Sequence, residues 1–180
     1  VYDYVVSTPP FGLRIPNSEY RTADIHYLTH SSRITRNKSV GLYPASICYN
    51  SHSSNRQVLS ELVEEDILDT IILLPTNIFS NTSIETVIIV VNKNKEHTET
   101  VRIIDASDCY KSEGRHNILA LEKVVDKLYS INNQAGVYMV SLDEIRKNDY
   151  KVYPKFYCSL DEVIFPDGYI VPELGDVIEP

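Results

Sequence analysis

The sequence contains few cysteines and no hydrophobic run long enough to span a membrane. Its three cysteines, Cys48, Cys109 and Cys158, lie far apart and are odd in number. This spacing fits neither a metal site nor a disulfide framework. The longest apolar run surrounds Val87–Val91 and has the length of a strand, and no signal peptide is visible. These absences predict a cytoplasmic protein with reduced cysteines and no membrane contact.

Glycine is scarce, with six residues, and none of them forms a Gly-x-Gly pattern. The sequence also lacks a P-loop, a nucleophile elbow and a pair of catalytic acids, so a hydrolase has no support. His26 and His30 alone share helical i, i+4 spacing, without an intervening glutamate or a third ligand. This favours a solvated helix face over zinc, and we predict no metal site. Asp105, at the end of a strand, is interpreted as a turn-forming residue rather than a catalytic carboxylate.

The net charge is −8, but the charges are unevenly distributed. Residues 1–56 hold six Lys or Arg and three Asp or Glu, whereas residues 57–180 hold eleven and twenty-two. Basic side chains of the first part would suit phosphate contacts, although an ordinary mixed surface explains them equally well. The acidic character of residues 57–180 indicates that most of the contacts to a nucleic acid would come from a partner protein. The basic residues concerned are Arg14, Arg21, Arg33, Arg36 and Lys38.

Hydrophobic periodicity predicts one α/β domain, which 180 residues are long enough to form. Alternating strands and helices indicate a parallel sheet, and a late strand-turn-strand segment indicates an antiparallel end. Ser54 is expected to cap the second helix, and Ser141 with Glu144 forms a capping-box pattern before the last one. The predicted strands are 2–6 (buried), 39–43, 68–74, 83–92 and 98–105, and the predicted helices are 23–35, 54–65, 118–129 and 141–147.

The most informative segment is Tyr2–Gly12, in which a strand-like run ends in Thr8-Pro9-Pro10-Phe11. Each proline fixes φ near −65° and lacks an N–H, so the turn is stiff and presents an aromatic ring. Open α/β sheets bind ligands at the carboxyl ends of their strands. The placement therefore predicts a binding site, whereas the Pro-Pro-Phe residues taken alone favour an ordinary surface turn.

This segment resembles the Asn-Pro-Pro-Phe signature of amino-group DNA methyltransferases, with Thr8 in place of the usual Asn, Asp or Ser. Further segments extend the similarity from about Val1 to Tyr157. Their order and spacing resemble the second half of the modification (methylase) subunit of type I restriction-modification systems, which methylates adenine at N6. These segments are Gly41-Leu42-Tyr43-Pro44, Asn55–Leu59, Ile71–Pro75, Ile78-Phe79, Thr82–Lys93, Ile103–Ser107 and Asn148-Asp149-Tyr150.

The resemblance implies a partial Rossmann-like sheet of an S-adenosylmethionine-dependent methyltransferase. Residues 1–157 would be the second half of that domain, and residues 158–180 an acidic tail or the start of a specificity-like segment. The implied catalytic residues are Thr8, Pro9, Pro10 and Phe11. The Thr8 side chain and the Pro9 carbonyl would accept hydrogen bonds from the adenine amine, and Phe11 would stack on the flipped base. Thr8 and Pro9 would also border S-adenosylmethionine, whose glycine-rich loop lies upstream of this motif in the family.

The implied partners are DNA and the specificity and restriction subunits of the type I complex. Without the upstream half, strand 2–6 would be a sheet edge, so a homo-oligomer through that edge is expected. Two alternatives remain open. The chain could be a catalytically inactive piece that binds DNA or the specificity subunit, which Thr8 favours. It could also methylate another amine, such as cytosine N4 or a glutamine side chain, although Phe11 in place of Tyr argues against this.

Overall fold

The computed structural model is a six-stranded mixed sheet with helices on both faces, and a two-stranded hairpin beside it. It describes residues 1–16, 20, 22–80, 82–114, 116–130 and 136–158. The strands are β1 Tyr2–Ser7, β2 Thr35–Pro44, β3 Leu68–Leu73, β4 Thr86–Asn92, β5 Thr100–Asp105, β6 Tyr110–Glu113, β7 His116–Leu119 and β8 Val137–Ser141. The helices are α1 Ala23–Ile34, α2 Ser53–Glu64, α3 Leu121–Tyr129, α4 Leu142–Lys147 and α5 Lys155–Cys158, with a 3₁₀ helix at Ala45–Cys48.

The strand order of the large sheet is β1-β2-β4-β3-β5-β8. β1 pairs parallel with β2, and β3 pairs parallel with β5. β4 lies antiparallel between β2 and β3, and β8 is antiparallel to β5 at the end of the sheet. The predicted α/β class and the antiparallel end are therefore confirmed. β4 and β5, which flank the predicted polar turn, do not pair with each other, because β3 lies between them.

Two hydrophobic clusters stabilise the two faces of the sheet. The larger one packs buried side chains of the strands β2, β3, β4, β5 and β8 against those of α1, α2 and α4. Tyr43, Ile71 and Ile103 are fully buried in it. The smaller one packs Val124 of α3 against Ile72 and neighbouring side chains. Full burial of such a side chain contributes about 1.5–3 kcal/mol. Within the described residues, no helix is long and apolar enough to cross a membrane.

β1 forms as predicted, but the expectation that it is buried is wrong. Tyr2, Tyr4 and Val6 are 64%, 72% and 79% exposed. These alternate residues share one face of the strand, whereas Val5 and Ser7 on the other face are partly buried. β1 also lies at the end of the sheet and pairs only with β2 among the described strands. The predicted edge position is thus confirmed, and the exposure follows from an uncovered face.

Two details of the helices differ from the sequence predictions, and one agrees. α2 begins at Ser53 after His52, so Ser54 lies inside the helix and does not cap it. α3 begins only at Leu121, because Ile118 and the next residue belong to β7 and pair with β6. The Ser141 Oγ accepts a hydrogen bond from the Glu144 N–H at 3.2 Å, which confirms Ser141 as the cap of α4. The predicted tail, 158–180, lies outside the described residues beyond residue 158.

Candidate functional site

The Pro-Pro-Phe loop lies at the edge of the sheet where β1, β2, β3 and β5 all end. These four strands run in the same direction, so their carboxyl ends meet at one edge. In the loop after β1, Thr8 and Pro10 are exposed, Pro9 is buried and Phe11 is half-buried. The structure therefore gives the predicted site residues the position that ligand sites take in open α/β sheets.

A second aromatic ring, Phe79, meets Phe11 at this edge. The two ring centroids lie 5.8 Å apart and the ring planes are inclined by 78°, an edge-to-face contact. Phe79 belongs to the loop after β3, whereas Phe11 follows β1, and two strands separate them in the sheet. Ile78-Phe79 is one of the segments that carry the family resemblance, but the sequence pattern gives this ring no role of its own. Sequence spacing could not have paired these rings, because they lie 68 positions apart.

Hydrogen bonds hold the loop on both sides of Phe11. On the preceding side, the Ser7 Oγ and the Tyr43 Oη lie 3.0 Å apart. On the following side, the Gly12 N–H donates to the Asp24 Oδ2 at 3.0 Å. Gly12 has a φ of +66°, a left-handed conformation that glycine adopts without strain. The loop is thus anchored to β2 and α1 rather than standing free.

A cleft of about 520 Å³ opens beside the loop. This volume lies within the range of about 300–1,000 Å³ that is typical of small-molecule pockets. One wall is the loop itself, and the others are the 3₁₀ helix after β2 and the start of α2. Burial raises the pKa of the Asp24 carboxyl, while the hydrogen bond from Gly12 acts in the opposite direction. Polar lining residues are Arg14, Thr22, Asp24, Ser46, Asn50, His52 and Asn55.

The basic residues of the first part of the chain do not gather at this site. Among the described basic residues of this part, only Arg14 lines the cleft. Arg36, at the start of β2, lies 3.7 Å from Asp3 on the surface. Lys38 lines a separate cleft across the open face of the sheet, and Arg21 lies outside the described residues. A single concentrated phosphate-binding patch is therefore not observed among the described residues.

The remaining candidate residues take structural positions. The rings of His26 and His30 stack at 6.2 Å, and no cluster of three metal-ligating side chains occurs in the described part of the chain. Asp105 accepts a hydrogen bond from the Ser107 N–H at 2.9 Å, which confirms the predicted turn. Cys48 and Cys109 are free and buried, and burial raises the pKa of the Cys109 thiol to about 11.

Comparison with known proteins agrees with this geometry. The chain is 27% identical over 178 residues to the type I restriction enzyme MpnII methylase subunit of Mycoplasma pneumoniae, covering 83% of this chain and 32% of the relative. It is 31% identical over 129 residues to the MjaVII methylase subunit of Methanocaldococcus jannaschii, covering 67% of this chain and 22% of the relative. It thus spans about a third or less of the length of these curated relatives.

Among solved structures, the chain is similar to the type I restriction-modification methyltransferase subunit from Streptococcus thermophilus. The TM-score is 0.77 at 26% identity, over 87% of this chain and 38% of that protein. The sequence model of the N-6 DNA Methylase family matches residues 1–163. This match covers the whole sheet and the Pro-Pro-Phe loop. The chain therefore belongs to the N-6 DNA methylase family.

Proposed function

We propose that these 180 residues are the target-base part of a type I restriction-modification methylase subunit, which transfers a methyl group to the N6 of a flipped adenine. The observation that carries this proposal is the meeting of Phe11 and Phe79 at the carboxyl edge of the sheet. Two rings from separate loops offer an apolar face for a base taken out of the duplex. The membership of the family supports the same assignment.

The polar contacts to the adenine amine would come from Thr8 and Pro9. The exposed Thr8 hydroxyl accepts one N–H, and the Pro9 carbonyl accepts the other. Pro10 fixes the peptide that carries this carbonyl, so its direction changes little on binding. Acceptors on both N–H groups keep the nitrogen lone pair directed at the incoming methyl group. The catalytic contribution is orientation, and no covalent enzyme intermediate is required.

S-adenosylmethionine would supply the methyl group as an electrophile. Thr8 and Pro9 fit a position beside it, since they follow the outermost strand and Thr8 is exposed. No Gly-x-Gly pattern occurs in the chain, although such turns let the backbone approach a cofactor closely. We therefore assign the main cofactor-binding loop to a part of the longer protein outside these 180 residues, with residues 1–157 as the second half of the methyltransferase domain.

The proposed partners are DNA and the specificity and restriction subunits of a type I complex. Both curated relatives are described as subunits, which implies assembly with other chains. The net charge of −8 and the scattered basic side chains support DNA binding that depends on a partner subunit. A chain that bound DNA without a partner would need a continuous positively charged surface to neutralise the phosphates.

A second candidate is a catalytically inactive module that binds DNA or the specificity subunit. Thr8 favours it, because a hydroxyl with a neighbouring methyl replaces the side chains usual at this position. The two candidates differ in one measurable property. An inactive module binds its partners but incorporates no methyl group into DNA.

The test uses a protein of the relatives' length that contains these residues, together with its specificity subunit. Labelled S-adenosylmethionine and DNA give the rate of methyl incorporation, and digestion of the product identifies N6-methyladenine. We expect Phe11→Ala to abolish incorporation and Phe79→Ala to lower it, since base stacking on an aromatic contributes about 1–3 kcal/mol. Thr8→Asn should raise it, because an amide oxygen is a better placed acceptor.

Phe156→Ala is the matched control, since this half-exposed ring contacts Tyr153 rather than the loop. Its incorporation rate should equal that of the wild type. Equal rates for the wild type and Phe11→Ala would remove the ring from the site. Absence of incorporation in the wild type, with DNA binding retained, would support the inactive module instead.

A further inference from the structure

Two buried polar side chains bracket the Pro-Pro-Phe loop. Tyr43 is 0% exposed and Asp24 is 6% exposed. The Tyr43 Oη contacts the Ser7 Oγ, one residue before Thr8, and the Asp24 carboxylate accepts the N–H of Gly12, one residue after Phe11. The four residues of the loop therefore lie between two anchors that come from different elements, β2 and α1.

The Tyr43 anchor depends on a glycine in the same strand. Gly41 pairs with Ser7 across the parallel β1–β2 ladder. A Cβ at Gly41 would overlap the hydroxyl and ring carbons of Tyr43, so the ring passes directly over this residue. Because Gly41 has no side chain, the ring folds back along its own strand. The hydroxyl thereby reaches the residue opposite Gly41.

The Asp24 anchor is a buried carboxylate that has no charged partner among the residues that the structure describes. Asp24 forms no salt bridge with any described residue, and its hydrogen-bond partners are the Gly12 N–H and the Thr22 side chain. A buried carboxylate is unfavourable unless hydrogen bonds compensate it. The bond to Gly12 supplies such compensation and also fixes the chain just after Phe11. A second contact, from the Ala23 N–H to the Leu13 carbonyl at 2.7 Å, lies beside it.

We propose that Tyr43 and Asp24 form a loop clamp, and that both are positioning residues for base capture by Phe11. This inference rests on the proposed function. Stacking and in-line transfer require the ring and the acceptors to stay within a fraction of an ångström of one geometry, and such sites depend on the residues behind them. The clamp holds the loop at both ends, while Pro9 and Pro10 stiffen its middle.

The clamp is tested first without any activity measurement, in this chain itself at a concentration at which light scattering shows a monomer. 4-Fluorophenylalanine is placed at position 11, and its ¹⁹F resonance reports the surroundings of the ring. We expect one narrow resonance in the wild type. Asp24→Ala, which leaves the Gly12 N–H without its acceptor, should shift, broaden or split it. Asp24→Asn, which keeps an acceptor oxygen, should restore the wild-type resonance.

Tyr43→Phe removes only a hydroxyl and should likewise perturb the resonance. Its matched control is Tyr157→Phe, because the Tyr157 hydroxyl donates to the Lys151 carbonyl in the same core, remote in sequence from the loop. Ser32→Ala is the control for α1, since its hydroxyl bonds only the Thr29 carbonyl. If Asp24→Ala does not fold, the comparison of Tyr43→Phe with Tyr157→Phe tests the clamp. A broad wild-type resonance, or variants identical to their controls, would overturn the clamp.

The second measurement separates the clamp from the proposed function. In the longer methylase, Asp24→Ala should lower the single-turnover rate by about tenfold to a hundredfold, the scale of a 1 Å misplacement. The KM for S-adenosylmethionine should stay unchanged. An active wild type with unaffected clamp variants would refute the positioning role and leave the methylase assignment intact. An inactive wild type would refute that assignment, while the fluorine measurement still decides the clamp.

Discussion

Gly41→Ala is expected to destabilise the chain strongly, although alanine is only one methyl group larger than glycine. The new Cβ would overlap the hydroxyl and ring of Tyr43. The end of a side chain can often move away, but Tyr43 is fully buried and among the largest fully buried side chains. Overpacking costs about 1–3 kcal/mol, and complete loss of a buried aromatic about 3–5 kcal/mol. We therefore expect the free energy of unfolding to fall by about 2–4 kcal/mol.

Urea unfolding measures this change. With an m-value of about 2 kcal/mol/M, the midpoint should fall by about 1–2 M. Ser39→Ala is the control, because Ser39 is buried on the same face of β2 and the substitution adds no volume. In a Tyr43→Ala background, Gly41→Ala should lower the free energy of unfolding by less than about 0.5 kcal/mol, since the Tyr43 ring that would clash with the new Cβ is absent. A small effect in the wild-type background, or an equal effect in both, would refute the packing argument.

Three other outcomes follow from the structure. The isolated chain should self-associate through the open edge of β1, so its mass in light scattering should rise with concentration. Tyr4→Lys should reduce this rise in mass, and a chain that stays monomeric at all concentrations would argue against association through β1. The isolated chain should also show no micromolar binding of S-adenosylmethionine in calorimetry, and a clear micromolar isotherm would contradict our placement of the cofactor loop. The third outcome concerns pH. Because burial raises the pKa of Asp24 above 3.8, the folded state binds its proton more tightly than the unfolded state, and this contribution to stability is lost as pH rises through the raised pKa. The stability advantage of Asp24→Asn over the wild type should therefore grow as pH rises from about 4 through the raised pKa, and an advantage that stays constant with pH would contradict the assigned cause.

The sequence alone identified most of the helices, five strands of the large sheet and the position of the main loop, whereas β6, β7 and β8 were not among the predicted strands. The β-branched run in β4 and the apolar face of α2 identified these two elements to within three residues at each end. The side-chain cap at Ser141 followed from local pattern as well. Two prolines and an aromatic after a strand predicted a stiff loop at the carboxyl edge as the candidate site, because proline restricts the backbone whatever surrounds it.

Tertiary structure alone decided how these elements meet. Local pattern cannot specify that β4 inserts between β2 and β3, since pairing partners depend on contacts distant in sequence. The contact of Phe79 with Phe11 could not be predicted for the same reason, because the two rings are distant in sequence. The sequence marks Tyr43 only as part of the Gly41–Pro44 segment and gives Asp24 no role, yet both hold the loop. Their role arises because folding brings the Tyr43 hydroxyl to the side chain of Ser7, 36 residues away, and the Asp24 carboxylate to the backbone of Gly12, 12 residues away.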